Sequence, residues 1–231
     1  MRIPLWIEAS ALRVVVFGGG RVGTRRALRF HDAGARVTVV SLEFSRELVE
    51  AAKKSSRLVL VEGDARSINL DDVLRGAHIV VIAVPDEEAR RRIWEAAKRN
   101  NVLVNDATDA TVTEVVVPYE AVVSGLRVAV TSEGKSGVTA RHALHKIVEL
   151  LEKDKELKTM MEALWWAKRY MKSVIPDGRL RFPIYFEIEK NPEFIEAVKK
   201  GDVEEAKRIA KKIIDEHVQR IAMEADRRAP R

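Results

Sequence analysis

One stretch, VVVFGGGRVGTRRALRFHDAGARVTVVS, constrains the fold more than any other part of the chain. It begins with an apolar run at Val14–Phe17 and continues with Gly18, Gly20 and Gly23 in the spacing G-x-G-x-x-G. A helical pattern follows, and Arg36–Ser41 has the composition of a second strand. In this spacing the first glycine permits a tight turn, the second lets the backbone approach a pyrophosphate, and the third lets the helix pack closely on the strand. Because all these parts fall within about 30 residues, the stretch predicts a βαβ unit that binds a dinucleotide.

The choice between the two nicotinamide dinucleotides depends on the end of the second strand. An acidic residue that binds the ribose 2′-hydroxyl is expected there, and this chain has Ser41. Either Glu43 or Ser41 with backbone groups could bind that hydroxyl, whereas Arg46 would suit a 2′-phosphate. We expect NAD rather than NADP. The predicted cofactor-binding residues are Gly18, Gly20, Arg21, Val22, Gly23, Ser41, Glu43, Val84 and Pro85.

Composition narrows the class of protein. The 231 residues are 46% hydrophobic and 33% charged, which is typical of a soluble globular protein, and no apolar run approaches the roughly 18 residues that span a bilayer. The N-terminal stretch carries Glu8 inside its apolar part, so we expect it to belong to the fold rather than to a secretory signal. The absence of cysteine excludes disulfides and thiolate chemistry and favours a cytoplasmic location. The net charge of +6 favours anionic ligands. The basic residues of the chain are interleaved with acidic ones, so we expect neither nucleic-acid nor membrane binding.

Strand and helix patterns alternate over the first part of the chain. After the opening unit, apolar runs at Leu58–Val61, Ile79–Val84 and Val102–Val104 predict further strands, with helical stretches between them. The pattern predicts an α/β, Rossmann-type doubly wound parallel sheet over residues 1–112. Ligands of such a sheet lie at the carboxyl ends of its strands, which includes Asn105–Asp109 here.

The pattern changes after residue 112. Val115–Val117 and Leu126–Thr131 resemble strands without long helices between them, and a polar loop then leads into a helix. A sheet-and-helix module of this size buries little apolar surface by itself. We therefore expect residues 113–150 to pair with the same residues of a second copy in a homodimer. Residues 151–231 are predicted to form a helical C-terminal domain with breaks at Pro176–Gly178 and Gly201–Asp202.

Several motifs together resemble one family, precorrin-2 dehydrogenase, which is also the N-terminal module of siroheme synthase. Members open with a short P-L-hydrophobic strand and V-x-V-V-G-G-G-x-V-A, similar to Ile3–Ile7 and Val14–Gly23. They continue with A-G-A-x-V-T-V-V, matched by Ala33–Val40, and with a V-N-x-x-D segment. A later motif, S-T-x-G-K-S-P-x-x-A-R, is similar to TSEGKSGVTAR at Thr131–Arg141 and is much more specific than the glycines. The resemblance covers about residues 1–150.

The resemblance implies NAD-dependent oxidation of precorrin-2 to sirohydrochlorin, and some members also insert ferrous iron. The substrate is an anionic tetrapyrrole, and the later motif supplies hydroxyl, ammonium and guanidinium donors for its carboxylates. The donors are Ser132, Lys135, Ser136 and Arg141, with Asn105 and Thr108 as further predicted substrate contacts. A second interpretation is that this loop only caps the following helix through Ser136 or Thr139.

The chain departs from the family at the catalytic position. The family's aspartate follows the asparagine by three residues, and Thr108 stands there in an ungapped alignment. Asp106 and Asp109 flank it, and both are predicted catalytic carboxylates. We expect Asp109, reached by a shift of one residue, to be the main one, with Asp106 as the second candidate; a solvated loop aspartate is the alternative interpretation of Asp109. Because threonine is a poor base, the departure also leaves room for a second function, a non-catalytic NAD(H)-binding sensor that acts through a partner protein.

Two further clusters have a structural and a functional interpretation. His142 and His145 share one helix face and could contact iron or tetrapyrrole carboxylates, but two histidines without a carboxylate are more often surface residues. Trp165, Trp166 and Tyr170 could line the pocket of a flat macrocycle, but such a cluster is more often part of a core.

Overall fold

A computed structural model describes residues 2–228, and its contacts divide the chain into two compact units. The first unit comprises residues 2–118 together with 131–137. Its strands are β1 (Arg13–Phe17), β2 (Arg36–Ser41), β3 (Leu58–Glu62), β4 (Ile79–Ile82) and β5 (Leu103–Asp106). Its helices are α1 (Arg21–Asp32), α2 (Arg46–Lys54), α3 (Leu70–Leu74) and α4 (Glu87–Arg99), preceded by a 3-10 turn at Ala9–Ala11.

The five strands form one parallel sheet in the order β3-β2-β1-β4-β5. Successive side chains of β1 point to opposite faces: Val15 packs in the core beneath α3 and α4, and Val16 in the core beneath α1 and α2. Both faces are therefore covered, which explains why the strands are continuous apolar runs. The predicted doubly wound α/β fold is confirmed. Because all five strands are parallel, their carboxyl ends lie at one edge of the sheet.

Three of the four helices of this unit, α2, α3 and α4, begin where a side chain caps a backbone N–H group of the first turn. The Ser45 hydroxyl accepts from the Leu48 N–H and opens α2, and the Asp86 carboxylate accepts from the Ala89 N–H and opens α4. Asn69 does the same for the short α3. These caps fix the residue at which α2, α3 and α4 begin, and each capping residue lies in the loop that leads from a strand to its helix.

The second unit comprises residues 119–130 and the chain from residue 138 onward. A two-stranded antiparallel sheet, β6 (Tyr119–Val123) and β7 (Leu126–Val130), is followed by five helices. The helices are α5 (Gly137–Lys153, which starts at the unit boundary), α6 (Lys155–Val174), α7 (Gly178–Lys190), α8 (Pro192–Lys200) and α9 (Val203–Arg228). The predicted small sheet and helical C-terminal region are confirmed, including the Gly201 break, where a left-handed backbone (φ 75°) ends α8.

Two predicted strands are wrong. Val115–Val117 forms no strand, because the N–H groups of Glu114 and Val115 both donate to the Val104 carbonyl and hold the segment irregularly beside β5. Residues 3–7 form no strand either, and the large apolar side chains there are exposed. The division into residues 1–112, 113–150 and 151–231 stays a prediction. No helix in the described part of the chain is both long and apolar enough to cross a bilayer.

Candidate functional site

The glycine loop after β1 is held by contacts that exclude side chains. Gly18 has a φ of 109° and donates its N–H to the Val40 carbonyl at 2.9 Å, and a Cβ on it would lie 2.6 Å from the Ala83 carbonyl oxygen. A Cβ on Gly23 would overlap the Gly18 carbonyl, so α1 packs directly against the loop. Both positions require glycine for the reasons that the motif predicts.

Two hydroxyl side chains support the same loop from beneath. The Gly19 N–H donates to the Ser41 Oγ at 2.9 Å, and the Thr24 hydroxyl donates to the Gly19 carbonyl at 3.1 Å. Thr24 also lies 2.9 Å from the Ser45 Oγ. Ser41 therefore holds the loop from the position where an acidic residue is expected. Sequence reasoning missed Thr24 and Ser45, since nothing local marks the contact between the two helices.

The mouth of the loop is open to an anion. A Cβ on Gly20 would meet no atom within 4 Å, and Gly20 caps α1 with no side-chain hydrogen bond, so the first N–H groups of the helix are left for a ligand. Arg21 and Val22 are exposed in that first turn. The residues present thus fit a pyrophosphate. Of the other residues predicted to bind cofactor, Glu43 and Pro85 are exposed and Val84 is half-buried.

The loop that begins at the end of β5 contains two similar turns encoded by the tandem repeat D-A-T-D-A-T. Asp106 Oδ1 accepts from the N–H of Thr108 at 3.0 Å and from its hydroxyl at 2.6 Å. Asp109 Oδ1 accepts from the N–H of Thr111 at 2.9 Å and from its hydroxyl at 2.6 Å. Each aspartate therefore closes its own turn, and the loop has one defined shape.

The Asp106 carboxylate is fully buried and has five hydrogen-bond donors. Besides the contacts with Thr108 and the Asp109 N–H, its Oδ2 accepts from Arg90 Nε at 2.7 Å and from Trp94 Nε1 at 2.9 Å. Burial is the largest single effect on the pKa of Asp106 and raises it, but the hydrogen bonds together outweigh it and lower the pKa to about 2. A carboxylate with five donors and so low a pKa is a poor proton acceptor. Asp106 therefore anchors the loop.

Asp109 is the more accessible of the two predicted catalytic carboxylates. Its side chain is 35% exposed, and its Oδ2 lies 3.3 Å from Arg90 Nη2. Hydrogen bonds from Thr111, and to a lesser degree the Arg90 guanidinium, lower the pKa of Asp109, so the group is ionised at neutral pH. The structure therefore brings Asp106 and Asp109 together on one guanidinium, with Asp109 facing outward.

Sequence reasoning missed the two residues that organise this loop from α4. Arg90 joins both aspartates and Glu87, and the hydrogen bond to Asp106, its strongest interaction, raises the pKa of Arg90. Trp94 lies one turn further on the same helix face. The sequence does contain a signal for this pair. Arg90 and Trp94 are four residues apart, so on a helix they lie on the same face, and a helix that follows β4 can turn that face to the end of β5.

Asn105 and Thr108, both predicted substrate contacts, differ in accessibility. Asn105 is 3% exposed, its amide donates to the Val115 carbonyl at 2.6 Å, and its Oδ1 has no partner in the described residues. Thr108 is exposed, but its hydroxyl is committed to Asp106. Thr108 is the one that a ligand at this edge could touch.

The loop at residues 131–137 packs beside the β5 loop in the first unit. The Arg2 guanidinium donates to the carbonyls of Ala110 (3.3 Å) and Thr113 (2.8 Å) and lies 3.9 Å from Glu133. Gly134, with a φ of 92°, approaches so closely that a Cβ on it would lie 2.6 Å from that of Ala110. Arg2, which the sequence did not single out, therefore links the two loops.

The residues predicted to bind substrate occupy this loop and the helix after it. The Ser132 Oγ accepts from the Ser136 N–H at 2.9 Å, Lys135 is exposed, and Ser136 is half-buried. Arg141 is exposed on α5 and belongs to the second unit. Three of the four thus share one loop, and its tight Ser132–Ser136 turn is consistent with both the binding and the capping interpretations.

The remaining clusters are placed as follows. His142 and His145 are both exposed, and among the residues whose side chains are described no group of three or more His, Asp or Glu could hold a metal ion. Trp166 stacks on Tyr170 at 5.3 Å and packs against the helical core, whereas Trp165 is exposed beneath the Arg169 guanidinium.

Comparison with known proteins identifies the domain that carries the glycine loop. Residues 5–119 match the family described as "Putative NAD(P)-binding". The match covers the sheet, the glycine loop and the β5 loop, and the predicted nicotinamide dinucleotide domain is confirmed.

Relatives of known name extend over most of the chain. The chain is 27% identical over 201 residues to "Putative precorrin-2 dehydrogenase" of Methanocaldococcus jannaschii, covering 86% of this chain and 95% of the relative. It is 29% identical over 189 residues to precorrin-2 dehydrogenase of Methanosarcina barkeri, covering 80% and 82%. Siroheme synthase of Ectopseudomonas mendocina is 30% identical over 210 residues, but the chain spans 43% of that protein.

A solved structure shares the fold. The structure titled "SirC, precorrin-2 dehydrogenase" superposes with a TM-score of 0.67 at 20% identity, over 91% of this chain and 100% of that one. The chain therefore has a domain of the "Putative NAD(P)-binding" family and is a homologue of proteins named precorrin-2 dehydrogenase and siroheme synthase, as the resemblance predicted.

Proposed function

We propose that the protein oxidises precorrin-2 to sirohydrochlorin with NAD as the hydride acceptor, a step of siroheme biosynthesis. The observation that carries the proposal is the ionised, outward-facing Asp109 at the same edge of the sheet as the open glycine loop. Relatives named for this activity extend over 80% or more of the chain, which supports the same reaction.

The reaction removes one hydride and one proton from the macrocycle. NAD, which the glycine loop would hold, would supply the acceptor for the hydride and be reduced to NADH. The ring that has lost a hydride is cationic and must release a proton, and a carboxylate within reach accepts it. We assign that role to Asp109, because it is ionised and accessible, whereas Asp106 is buried beneath five donors.

The anionic substrate requires cationic and hydroxyl partners, and the loop at residues 131–137 offers them. Lys135 is exposed there, and Ser132 and Ser136 stand on either side of it. Arg141 on α5 would add a bidentate guanidinium, and Thr108 a contact at the β5 loop. Asn105 would join them only if its buried side chain were released, so we rank it last.

The cofactor is proposed to be NAD rather than NADP. Glu43 is exposed just beyond the end of β2, and a carboxylate there accepts a ribose 2′-hydroxyl but repels a 2′-phosphate. Ser41 cannot replace it freely, because its Oγ already accepts from Gly19. Gly18, Gly20 and Gly23, with Arg21 and Val22, would surround the pyrophosphate, and Val84 and Pro85 would border the nicotinamide half.

We further propose that residues 113–150 mediate a homodimer. The β6–β7 sheet has only two strands, so each strand has an edge without a partner in its own unit, and two-stranded sheets are marginal in water. Val122 on that sheet is 70% exposed. Pairing with a second copy would cover both features. A cytoplasmic location and iron insertion stay predictions.

The test mixes the purified protein with precorrin-2 and NAD under anaerobic conditions and follows NADH and sirohydrochlorin absorbance together. Both should rise in step. Asp109→Ala should abolish turnover and leave NAD affinity unchanged, and Asp32→Ala, a surface aspartate on α1, is the control that should retain both. Normal turnover by the Asp109→Ala protein would exclude this carboxylate as the base.

One observation favours a second function, a non-catalytic NAD(H)-binding sensor. Thr108 stands where the family has its aspartate, and its hydroxyl is committed to Asp106. A sensor should bind NAD without tetrapyrrole and never form NADH in the same assay. Tight NAD binding without turnover would therefore select the sensor.

A further inference from the structure

A cavity of about 580 Å³ lies at the amino ends of the strands, the edge of the sheet opposite to the glycine loop. Its lining includes Arg13, Arg36 and Arg57, which stand at or just before the starts of β1, β2 and β3. Strands of this length separate it from the dinucleotide loop by roughly 15 Å. Nothing in the proposed reaction uses this cavity, whose volume lies within the usual range for small-molecule sites.

The strand register places the three arginines side by side. Arg13 pairs with Arg36 in the β1–β2 ladder. The Val37 N–H donates to the Arg57 carbonyl at 2.8 Å, so Arg57 continues the same row beside Arg36. A fourth arginine, Arg75, lines the cavity from the turn after α3. Like charges on neighbouring strands repel, so this row is unfavourable unless an anion compensates it.

Among the described side chains, a carboxylate neutralises the charge of only one of these four arginines. Arg57 donates to the Gly34 carbonyl at 2.8 Å, and Arg75 pairs with Asp72 at 2.6 Å. Among the side chains described up to residue 223, the guanidinium groups of Arg13 and Arg36 have no acceptor, and no Asp or Glu lines the cavity. Two guanidinium groups on neighbouring strands are thus left available for an external anion.

The floor of the cavity is apolar. Alternation along the strands puts Val15, Thr38 and Val59 on the same face as the arginine row, and the ladder joins these three residues across β1, β2 and β3. Of the two helices over this face, α3 has only five residues, and the face stays partly open: Val59 is 48% exposed and Thr38 half-buried. Val73 and Ala77 form the adjoining wall. A ligand here would bury hydrocarbon against the floor while its anionic groups meet the rim.

We propose that this cavity binds a small organic polyanion with several carboxylates on an apolar scaffold, at a site separate from the dinucleotide loop. The open floor favours a ligand with a hydrocarbon body over an inorganic anion. The guanidinium groups of Arg13 and Arg36 supply the forks that carboxylates accept bidentately. The proposal does not depend on the proposed dehydrogenase activity, because it concerns binding alone.

The test titrates benzenehexacarboxylate into the NAD-saturated full-length protein by calorimetry, so that the glycine loop is already occupied. Binding should be saturable and tighter than that of inorganic pyrophosphate, which has no scaffold. In Arg13→Gln/Arg36→Gln the dissociation constant should rise at least about tenfold, since two charge-assisted contacts are lost. Arg13→Gln and Arg36→Gln singly should each show part of the loss, which guards against a folding defect in the double variant.

The matched control is Arg91→Gln/Lys98→Gln, which removes the same charge from exposed positions of α4 outside the cavity. Its affinity should change by less than about twofold, the size of a general electrostatic effect. Equal loss in both double variants, or no saturable binding at all, would overturn the site. A different contrary outcome is that pyrophosphate binds as tightly as the hexacarboxylate and loses its affinity in the Arg13→Gln/Arg36→Gln variant. That result would overturn the preference for an organic ligand and indicate a site for inorganic anions.

Discussion

At the scale of single residues, two aspartates three positions apart have different environments. Each closes a turn with the threonine two residues after it. Only Asp106 also reaches inward to Arg90 and Trp94, and its carboxylate is shielded from water while that of Asp109 is not. One repeated tripeptide thus yields an anchor and an accessible ionised group, and the difference comes from what each side chain meets across the fold.

The pH dependence of stability should identify the anchor. The folded-state pKa of Asp106 is about 2, below its ordinary value of 3.8, so its ionisation stabilises the fold above pH 3.8 and that contribution is lost as the pH falls towards 2. The shift corresponds to about 2 kcal/mol, and Asp106→Asn, which also leaves Arg90 partly unpaired, should cost about 3 kcal/mol at pH 7. Urea unfolding at pH 7 and pH 3 measures both effects, and the variant should lose less than the parent between the two.

The matched control for this experiment is Asp64→Asn. The pKa of Asp64 is also lowered to about 2, first by the hydrogen bond from Arg66, but the pair lies at the surface. Its replacement should therefore have a clearly smaller effect on unfolding. An equal loss in the two variants would mean that burial of Asp106 does not matter.

At the scale of elements, α4 positions the β5 loop. One of its faces carries Ala89, Ile93 and Ala96 into the core, and another carries Arg90 and Trp94 to the Asp106 carboxylate. The helix starts at Asp86, whose carboxylate accepts from the Ala89 N–H at 2.7 Å. The start of α4 therefore sets where Arg90 stands.

Removal of this cap should destabilise the first unit. Asp86→Ala leaves a helix N–H without its acceptor and should lower the free energy of unfolding by about 1 kcal/mol. Glu88→Ala, an exposed change in the same first turn, should stay within about 0.5 kcal/mol. Urea unfolding compares the two, and similar values would show that charge near the helix start, rather than the cap, matters.

Elements were predictable where their signal is local. The glycines and the apolar runs act within a few residues, and the sequence alone predicts β2, a helical stretch between β4 and β5, and the break at Gly201. The predicted strand at Val115–Val117 was wrong. Its valines have high β propensity, but the N–H groups of Glu114 and Val115 donate to the Val104 carbonyl instead of to a strand partner. Tertiary hydrogen bonding outweighed local propensity there.

At the scale of the whole molecule, the two units have separate cores. Val14 and Val15 belong to the cores on the two faces of the sheet, and Phe194 lies in a third core made by α6, α7, α8 and α9. No residue of the helical core belongs to a sheet core among the described residues. Ligand binding to the sheet unit and packing defects in the helical unit should therefore act on different cores.

Calorimetry of Phe194→Ala should separate the unfolding of the two units. Phe194 is fully buried, so its truncation should cost about 4 kcal/mol and lower the melting temperature of the helical unit. NAD at about 100 times its dissociation constant should stabilise the sheet unit by about 2.7 kcal/mol in parent and variant alike. The control is Phe186→Ala on α7, where the ring is 45% exposed and the loss should be much smaller. A single transition that NAD and Phe194→Ala shift together would contradict independent unfolding of the two units.

The sequence by itself determined the dinucleotide fold, the glycine loop and the family, because strand-helix alternation and glycine spacing are written in consecutive residues. Only the tertiary structure decided which aspartate is buried, since Arg90 and Trp94 come from a different element. It alone aligned Arg13, Arg36 and Arg57, which lie more than 20 residues apart in the chain and meet through strand register. Contacts between elements depend on how parallel strands and helices pack, and no local pattern encodes that geometry.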